Sequence, residues 1–248
     1  MKLMLLKLLA AVVLLTGTLY FTSPVLDKYI DTRVQAYLDS HPDKVYASTS
    51  KGIDRLKANE KAAKTRFVHS LKSALEQDTL DPVLGNPNAR TTVVMFSDYN
   101  CGYCKKAHPA LQELLDADND LRVVIKEFPI LGPMSQLAAM ASIAVNQLAP
   151  EQYSLFQEKM FAARLTSQND IVAIAETIGI SESALLQEIP KAIYTEKLGA
   201  NLKLAERLQI SGTPAFVING EIYPGALSTE DLQELVSKTR QNKGISES

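Results

Sequence analysis

Hydrophobic positions along the chain fall into two kinds of pattern, long stretches with helical spacing and short apolar runs. From Pro24 to His41, Leu26, Ile30, Val34, Tyr37 and Leu38 recur every three or four residues and mark one face of a helix. Ser23-Pro24 supplies an N-cap and a proline at the first helical position. His41-Pro42 predicts the end, because the residue before a proline is pushed out of the helical region. A second run, Lys51–Glu76, places Ile53, Leu56, Ala63, Phe67, Leu71 and Ala74 or Leu75 on a loose stripe, interrupted by Glu60 and backed by lysine and arginine. Asp81–Asn88, "DPVLGNPN", has two prolines and a glycine and reads as a turn-rich joint. Thr91–Phe96, "TTVVMF", and Leu121–Phe128, "LRVVIKEF", are apolar and β-branched and predict buried strands. Between them, Ala107, Leu111, Leu114 and Leu115 have the spacing of a helix.

From Pro133 to about Leu208 four runs of helical period follow, with short breaks at Pro150, Ser167 and Ser181 and no strand among them. Thr213–Asn219, "TPAFVIN", returns to strand character, with Glu221–Tyr223 as its partner across the Asn219-Gly220 turn. Ser228, with Asp231 three residues on, opens a closing helix to Arg240 in the manner of a capping box. The order strand, helix, strand, helices, strand, strand, helix gives an α/β domain over 81–248. It is preceded by a helical arm over 22–80. The arm's stripe has little beside it in sequence to bury against. Two readings stand: a helix pair folded onto the domain, or an oligomerisation arm meeting its copy in a homodimer or homotrimer through residues 24–78. The heptads are too few to choose between two and three strands.

The N-terminal 21 residues alter the picture of where this domain works. Lys2 and Lys7 precede an uninterrupted apolar stretch, Leu8–Leu15, as in an export signal. No small-x-small cleavage site follows it, so both a cleaved signal and a retained anchor remain open. Either places the rest of the chain in an oxidising compartment, for which a bacterial periplasm is the natural reading, with the protein soluble there or tethered to the inner membrane. Composition adds little. The chain of 248 residues has a formal net charge of −2, which gives no footprint for nucleic acid.

Both cysteines lie in Asn100–Pro109, "NCGYCKKAHP", where the first strand turns into a helix. As a disulfide, Cys101 and Cys104 would close so short a loop that it would constrain the unfolded chain little. A closed zinc site wants four ligands. His108, two turns up the helix, lies roughly 11 Å along the axis from Cys101 by helix rise, so His108 reads as surface or packing. A redox centre remains, with a copper-handling or metal-binding module on the same two sulfurs as its rival. A cysteine reacts as thiolate, and the unpaired N–H groups and positive dipole end of a helix N-terminus favour that anion. Lys105 and Lys106 add nearby positive charge, or are simply solvated.

Far downstream, "SGTPAFVIN" (Ser211–Asn219) sets a proline just inside a strand, where it cannot donate to the ladder. A cis bond before Pro214 would leave backbone groups free to face a substrate. The helix-opening "CGYC" with this later "TP" resembles thioredoxin. The long helical insertion, about 133–208, and the stretches "FSDYNCGYCKK", "VVIKEFPILG" and "SGTPAFVINGEIYPGA" are similar to the DsbA-like branch of thiol–disulfide oxidoreductases, in its ScsC-type and BdbD-type members. The resemblance spans roughly Asp81–Arg240. It implies a thioredoxin fold and disulfide formation, reduction or isomerisation, with Cys101 as exposed nucleophile, Cys104 as resolving thiol, Gly102 and Tyr103 tuning the redox poise, and Thr213 and Pro214 forming a loop beside the sulfurs. It implies no cofactor. Its implied partners are cysteine-containing envelope proteins and a membrane protein that resets the cysteines. Oligomeric relatives of this kind tend to be isomerases kept reduced. The chain departs from the pattern in three places. Met95 stands where thioredoxin and DsbA have a buried acid, leaving Asp98 and Glu127 as candidates for proton handling. Tyr103 replaces DsbA's histidine, and no tryptophan precedes Cys101.

Overall fold

The computed structural model describes residues 7–9, 12 and 26–244. The export signal expected over 1–21 lies outside these residues apart from 7–9 and 12, and so does the cap expected at Ser23-Pro24. Among the described residues no helix is long and apolar enough to cross a membrane. The chain divides into two units, Met1–Lys61 and Ala62–Ser248.

In the first unit, helix α1 covers residues 26–40 and α2 (Pro42–Ser70) begins. The two helices are separated by one residue, His41, so the second helix starts nine residues before the Lys51 that its apolar spacing predicts. Pro42 terminates α1 as expected, but it also suits the first position of α2, where its missing N–H is no loss. Leu26, Tyr29, Ile30, Val34 and Tyr37 are 48–60% exposed, so the apolar face of α1 is largely open within the described chain.

The second unit is a five-stranded sheet in the order β1-β3-β2-β4-β5 with helices on both faces. β2 (Thr91–Ser97) and β3 (Leu121–Glu127) run parallel at its centre, joined by α4 (Gly102–Ala117). β4 (Ala215–Ile218) pairs antiparallel with β2, and β5 (Glu221–Pro224) with β4. β1 (Val83–Gly85) lies within the stretch read as a joint and pairs antiparallel with the far edge of β3. Three residues among prolines carry too little periodicity to be seen as a strand. Gly85 has φ +77°, and a Cβ there would sit 2.6 Å from the Leu121 carbonyl oxygen, so only glycine fits this edge.

Alternation sorts the strands onto two cores. Val93, Met95, Val123, Ile125, Phe216 and Ile218 face α4, the insertion helices and α10 (Thr229–Lys243). Val94, Phe96, Val124, Ala215 and Val217 face Leu204, Ala205 and Leu208 around the end of α9 (Ala192–Arg207). Val68, Leu71 and Leu75 from α2 and α3 (Lys72–Glu76) join this second core. Burying such side chains fully stabilises the fold by about 1.5–3 kcal/mol each. Val68, Leu71 and Leu75 thus pack with the sheet, and residues from 62 on fall in the second unit rather than in the arm expected over 22–80.

The insertion comprises α5 (Pro133–Leu148), a 3₁₀ turn (Pro150–Gln152), α6 (Tyr153–Ala162), α7 (Gln168–Glu176), α8 (Glu182–Glu188) and α9. Ser167 and Ser181 cap α7 and α8, and Ser228 with Asp231 closes a capping box on α10. On the second face, Lys126 pairs with Asp81, and Lys197 with Asp81 at 2.6 Å and Asp78 at 2.7 Å. This buried network ties the segment before β1 to β3 and α9. Burial pushes the Lys126 pKa down and the Asp81 pKa up, and their mutual attraction opposes both shifts.

Candidate active site

β2 ends at Ser97, the chain turns through Asp98–Asn100, and Cys101 becomes the N-cap of α4. The Cys101 N–H donates to the Asp98 carbonyl at 3.0 Å, and its carbonyl accepts from Lys105 N at 3.0 Å. Its Sγ donates to the Thr213 carbonyl at 3.2 Å. The Thr213–Pro214 bond is cis, and Pro214 is fixed from behind by Gly225 N at 2.8 Å. Both cysteines are free thiols. Cys101, expected to be exposed, is 8% exposed against 0% for Cys104, so it is a narrow opening rather than an open surface. Burial pushes the Cys104 thiol up to about 12, although the Asp98 backbone N–H and the Ser97 and Thr213 hydroxyls favour its anion.

Gly102 is exposed, and Tyr103, at 67%, stands in the solvent. Tyr103, Lys106, Thr213 and Leu227 help line a surface groove of about 680 Å³ next to the cis bond. Lys106 is exposed, whereas the Lys105 ammonium is engaged by the Ala163 carbonyl. His108 is buried and packs on Phe161 with ring centroids 4.9 Å apart, and burial pulls its pKa down. Among the described residues no group of three or more His, Cys, Asp or Glu side chains comes together to hold a metal ion.

The two candidate carboxyls differ sharply. Asp98 Oδ1 accepts from Asn100 N at 2.9 Å, and Oδ2 accepts from Ile130 N at 2.9 Å and Leu131 N at 3.1 Å. This carboxylate braces the turn before Cys101 against the loop after β3. Glu127 has no such donors. Its Oε1 accepts from Ser142 Oγ at 2.6 Å, while Oε2 is buried without a partner. Burial, with the neighbouring Asp98 charge adding to it, raises the Glu127 pKa from 4.5 to about 8, and Ser142 opposes this. Ser97 and Glu127 are register partners on the adjacent parallel strands. Their side chains therefore share one face of the sheet, the face that packs on Cys104 and the rest of α4. Tyr99, Ser142 and Tyr153 form a buried hydroxyl cluster around this carboxyl, with Tyr99 Oη 2.8 Å from Ser142 Oγ.

The structure thus brings Asp98, Cys101, Cys104, Glu127, Thr213 and Pro214 into one neighbourhood, with Gly102 and Tyr103 at its rim. Ser97, Tyr99, Ser142 and Tyr153 belong to it too and were not anticipated. Ser97 could have been found from alternation, two residues beyond Met95 on the same face. Ser142 and Tyr153 carry no local signal.

A fold with this sheet order, a Cys-x-x-Cys at the start of a helix and a cis proline before the next central strand defines a thioredoxin-type redox protein. The family described as Thioredoxin matches residues 77–238. A thioredoxin-like oxidoreductase from Silicibacter pomeroyi is 34% identical, with a TM-score of 0.65, covering 68% of this chain and 98% of its own. The catalytic domain of Proteus mirabilis ScsC is 28% identical, with a TM-score of 0.65, covering 71% of this chain and 97% of its own. Disulfide bond formation protein D of Bacillus subtilis is 25% identical over 173 residues, which is 65% of this chain and 78% of that protein. The chain belongs to the thioredoxin family, in its DsbA-like branch, and is a thiol–disulfide oxidoreductase.

Proposed function

We propose that Cys101 and Cys104 are the redox pair of an exported enzyme that reduces or rearranges disulfides in envelope proteins. The observation that carries this reading is the Cys101 sulfur at the N-cap of α4, 3.2 Å from the Thr213 carbonyl. As a thiolate, Cys101 attacks a substrate disulfide. The substrate S–S bond breaks, a mixed disulfide forms, and the second substrate sulfur leaves as a thiolate. Cys104 then attacks the Cys101 sulfur. The substrate departs with two thiols, and the enzyme keeps a Cys101–Cys104 disulfide holding the oxidation equivalent. A membrane redox partner returns the pair to dithiols. Rearrangement follows when the released substrate thiolate attacks another disulfide before Cys104 acts.

Cys104 needs help to ionise, because burial holds its thiol up to about 12. Glu127 is the proton carrier in this reading, and Ser97, its register partner, lies beside it on the same face of the sheet. Asp98 is a positioning residue, since three backbone N–H groups occupy its carboxylate. Thr213 and Pro214 form the wall that receives the substrate backbone, and Gly102 and Tyr103 set the balance between dithiol and disulfide. The open apolar face of α1 supports self-association through the arm, which would hold two or three redox centres on one substrate.

The test is refolding of scrambled ribonuclease by the full chain and by a form lacking residues 22–61, which keeps the core residues Val68, Leu71 and Leu75. Refolding by the full chain, with only reduction left in the truncated monomer, is the expected result. Equal refolding by both removes the arm from the reaction. Loss of all exchange in Cys101→Ser is required in either case.

A further inference from the structure

Glu127 is buried, yet its two oxygens have different surroundings. Oε1 accepts from Ser142 Oγ at 2.6 Å, and Oε2 has no partner. Ser142, on α5, is itself buried and belongs to a longer line of polar groups. Its Oγ lies 2.8 Å from Tyr99 Oη, and Tyr99 Oη lies 3.4 Å from Tyr153 Oη. Gln157 Nε2 donates to Tyr153 Oη at 3.3 Å. Tyr99, Tyr153 and Gln157 are buried as well, so no bulk water competes for these contacts. The links come from the turn after β2, from α5 and from α6.

A hydroxyl carries one hydrogen, so each link fixes the direction of the next. A carboxylate only accepts, which commits the Ser142 hydrogen to Oε1. Tyr99 is then the donor to Ser142. Tyr153, which receives the Gln157 N–H, gives its own hydrogen to Tyr99 or to Ser142, 3.2 Å away. Every link thus points towards Glu127, and such links strengthen one another in a low-dielectric interior. The chain need not reverse when Glu127 is protonated on Oε2, because Oε1 is then a carbonyl oxygen that still accepts. The charged groups that act on Glu127 are Asp98 and Asp81, both of which disfavour its ionisation, and Asp81 is paired with Lys126 and Lys197. Cys104, Tyr99 and Tyr153 are the other titratable groups in the core on this face. Ser142 and Tyr99 act against the two aspartates.

We propose that Ser142, oriented by Tyr99 and Tyr153, is the positioning residue that holds Oε1 of Glu127 and so reserves Oε2 as the atom that takes the proton from Cys104. The inference rests on Glu127 as the proton carrier in the disulfide-exchange reading above. In that step the Cys104 thiol gives its proton to Oε2, and its sulfur attacks the Cys101 sulfur. The Cys101–Cys104 bond forms, the bond from Cys101 to the substrate sulfur breaks, and the substrate leaves as a thiolate. Removing the Ser142 hydrogen leaves the carboxylate without its donor, so the carboxyl keeps its proton to higher pH and accepts another less readily.

The test uses the full chain in its reduced form, mixed with glutathione disulfide. Acid-quenched flow follows Cys104 clearing the mixed disulfide at Cys101 across the pH range around 8. Ser142→Ala is expected to move the inflection of that step up by about one pH unit and to slow the step about tenfold near neutral pH, the scale of one hydrogen bond to a charged group. The rate should return at alkaline pH. Tyr99→Phe, which keeps the ring, is expected to move the inflection the same way by less, and Ser142→Thr, which keeps the hydroxyl, to leave it in place. An unmoved inflection in Ser142→Ala overturns the proposal. So does an equal slowing at every pH, which marks a packing defect, or a shift in Ser142→Thr as large as in Ser142→Ala. Should circular dichroism show Ser142→Ala unfolded, Tyr99→Phe and Tyr153→Phe decide, and an inflection unmoved in both overturns the proposal. Persistence of the inflection in Glu127→Gln would instead defeat the parent reading.

Discussion

Asp98 and Glu127 are both buried carboxyls in the neighbourhood of one thiol pair, yet their surroundings differ. Three backbone donors hold Asp98, whereas Glu127 has one hydroxyl and an unpaired oxygen. Burial raises the Glu127 pKa to about 8, which puts its proton within reach of exchange near neutral pH. Glu127→Gln is expected to slow release of the mixed disulfide by Cys104 about 100-fold near neutral pH, on the scale of general acid–base catalysis. The inflection near pH 8 in that step should vanish with it, as read by acid-quenched flow and separation of the mixed disulfide. Stability carries the same signature. The unfolded chain releases the Glu127 proton near 4.5 and the folded chain only near 8. The folded state then binds more protons in that window, so stability falls as pH rises from 4.5 to 8 and is level above it. Urea titrations at pH 5 and pH 8.5 should differ less for Glu127→Gln than for the natural chain. Glu127 was visible in the sequence as a charge at the end of an apolar run. The brace at Asp98 was not, because its donors at Ile130 and Leu131 lie 32 and 33 residues away.

The elements that pattern alone could place are those with enough length to show a period: β2, β3, β4, the helices of the insertion and the capped start of α10. β1 escaped because an edge strand of three residues has no alternation to read, and its identity comes from pairing with Val123 and Val124. The extent of α2 escaped because a proline that stops one helix also opens the next. Two glycines make opposite predictions here. Gly85→Ala forces a side chain into the Leu121 carbonyl at a positive φ and is expected to cost about 1–3 kcal/mol. Gly199→Ala meets open space in mid-helix and is expected to stabilise the chain by about 0.5–1 kcal/mol. Denaturant midpoints for the two substitutions should move in opposite directions.

Across the whole second unit, the sheet is held at its back by charge as well as by apolar contact. Asp81 serves two buried lysines, Lys126 and Lys197, so Asp81→Ala takes the paired carboxylate from Lys126, leaves Lys197 with Asp78, and is expected to cost about 3–5 kcal/mol in urea unfolding. Lys126 stands inside "LRVVIKEF", where sequence pattern alone gives no hint that its charge is matched from 45 residues upstream. Distance along the chain also governs the redox loop. The Cys101 sulfur and the carbonyl that receives it are 112 residues apart. During synthesis, both thiols leave the ribosome long before the segment that walls them in has been made. A nascent chain ending before Ser211 carries the complete cysteine pair without the wall that covers it in the folded domain. The pocket around the thiols is thus completed late in biogenesis.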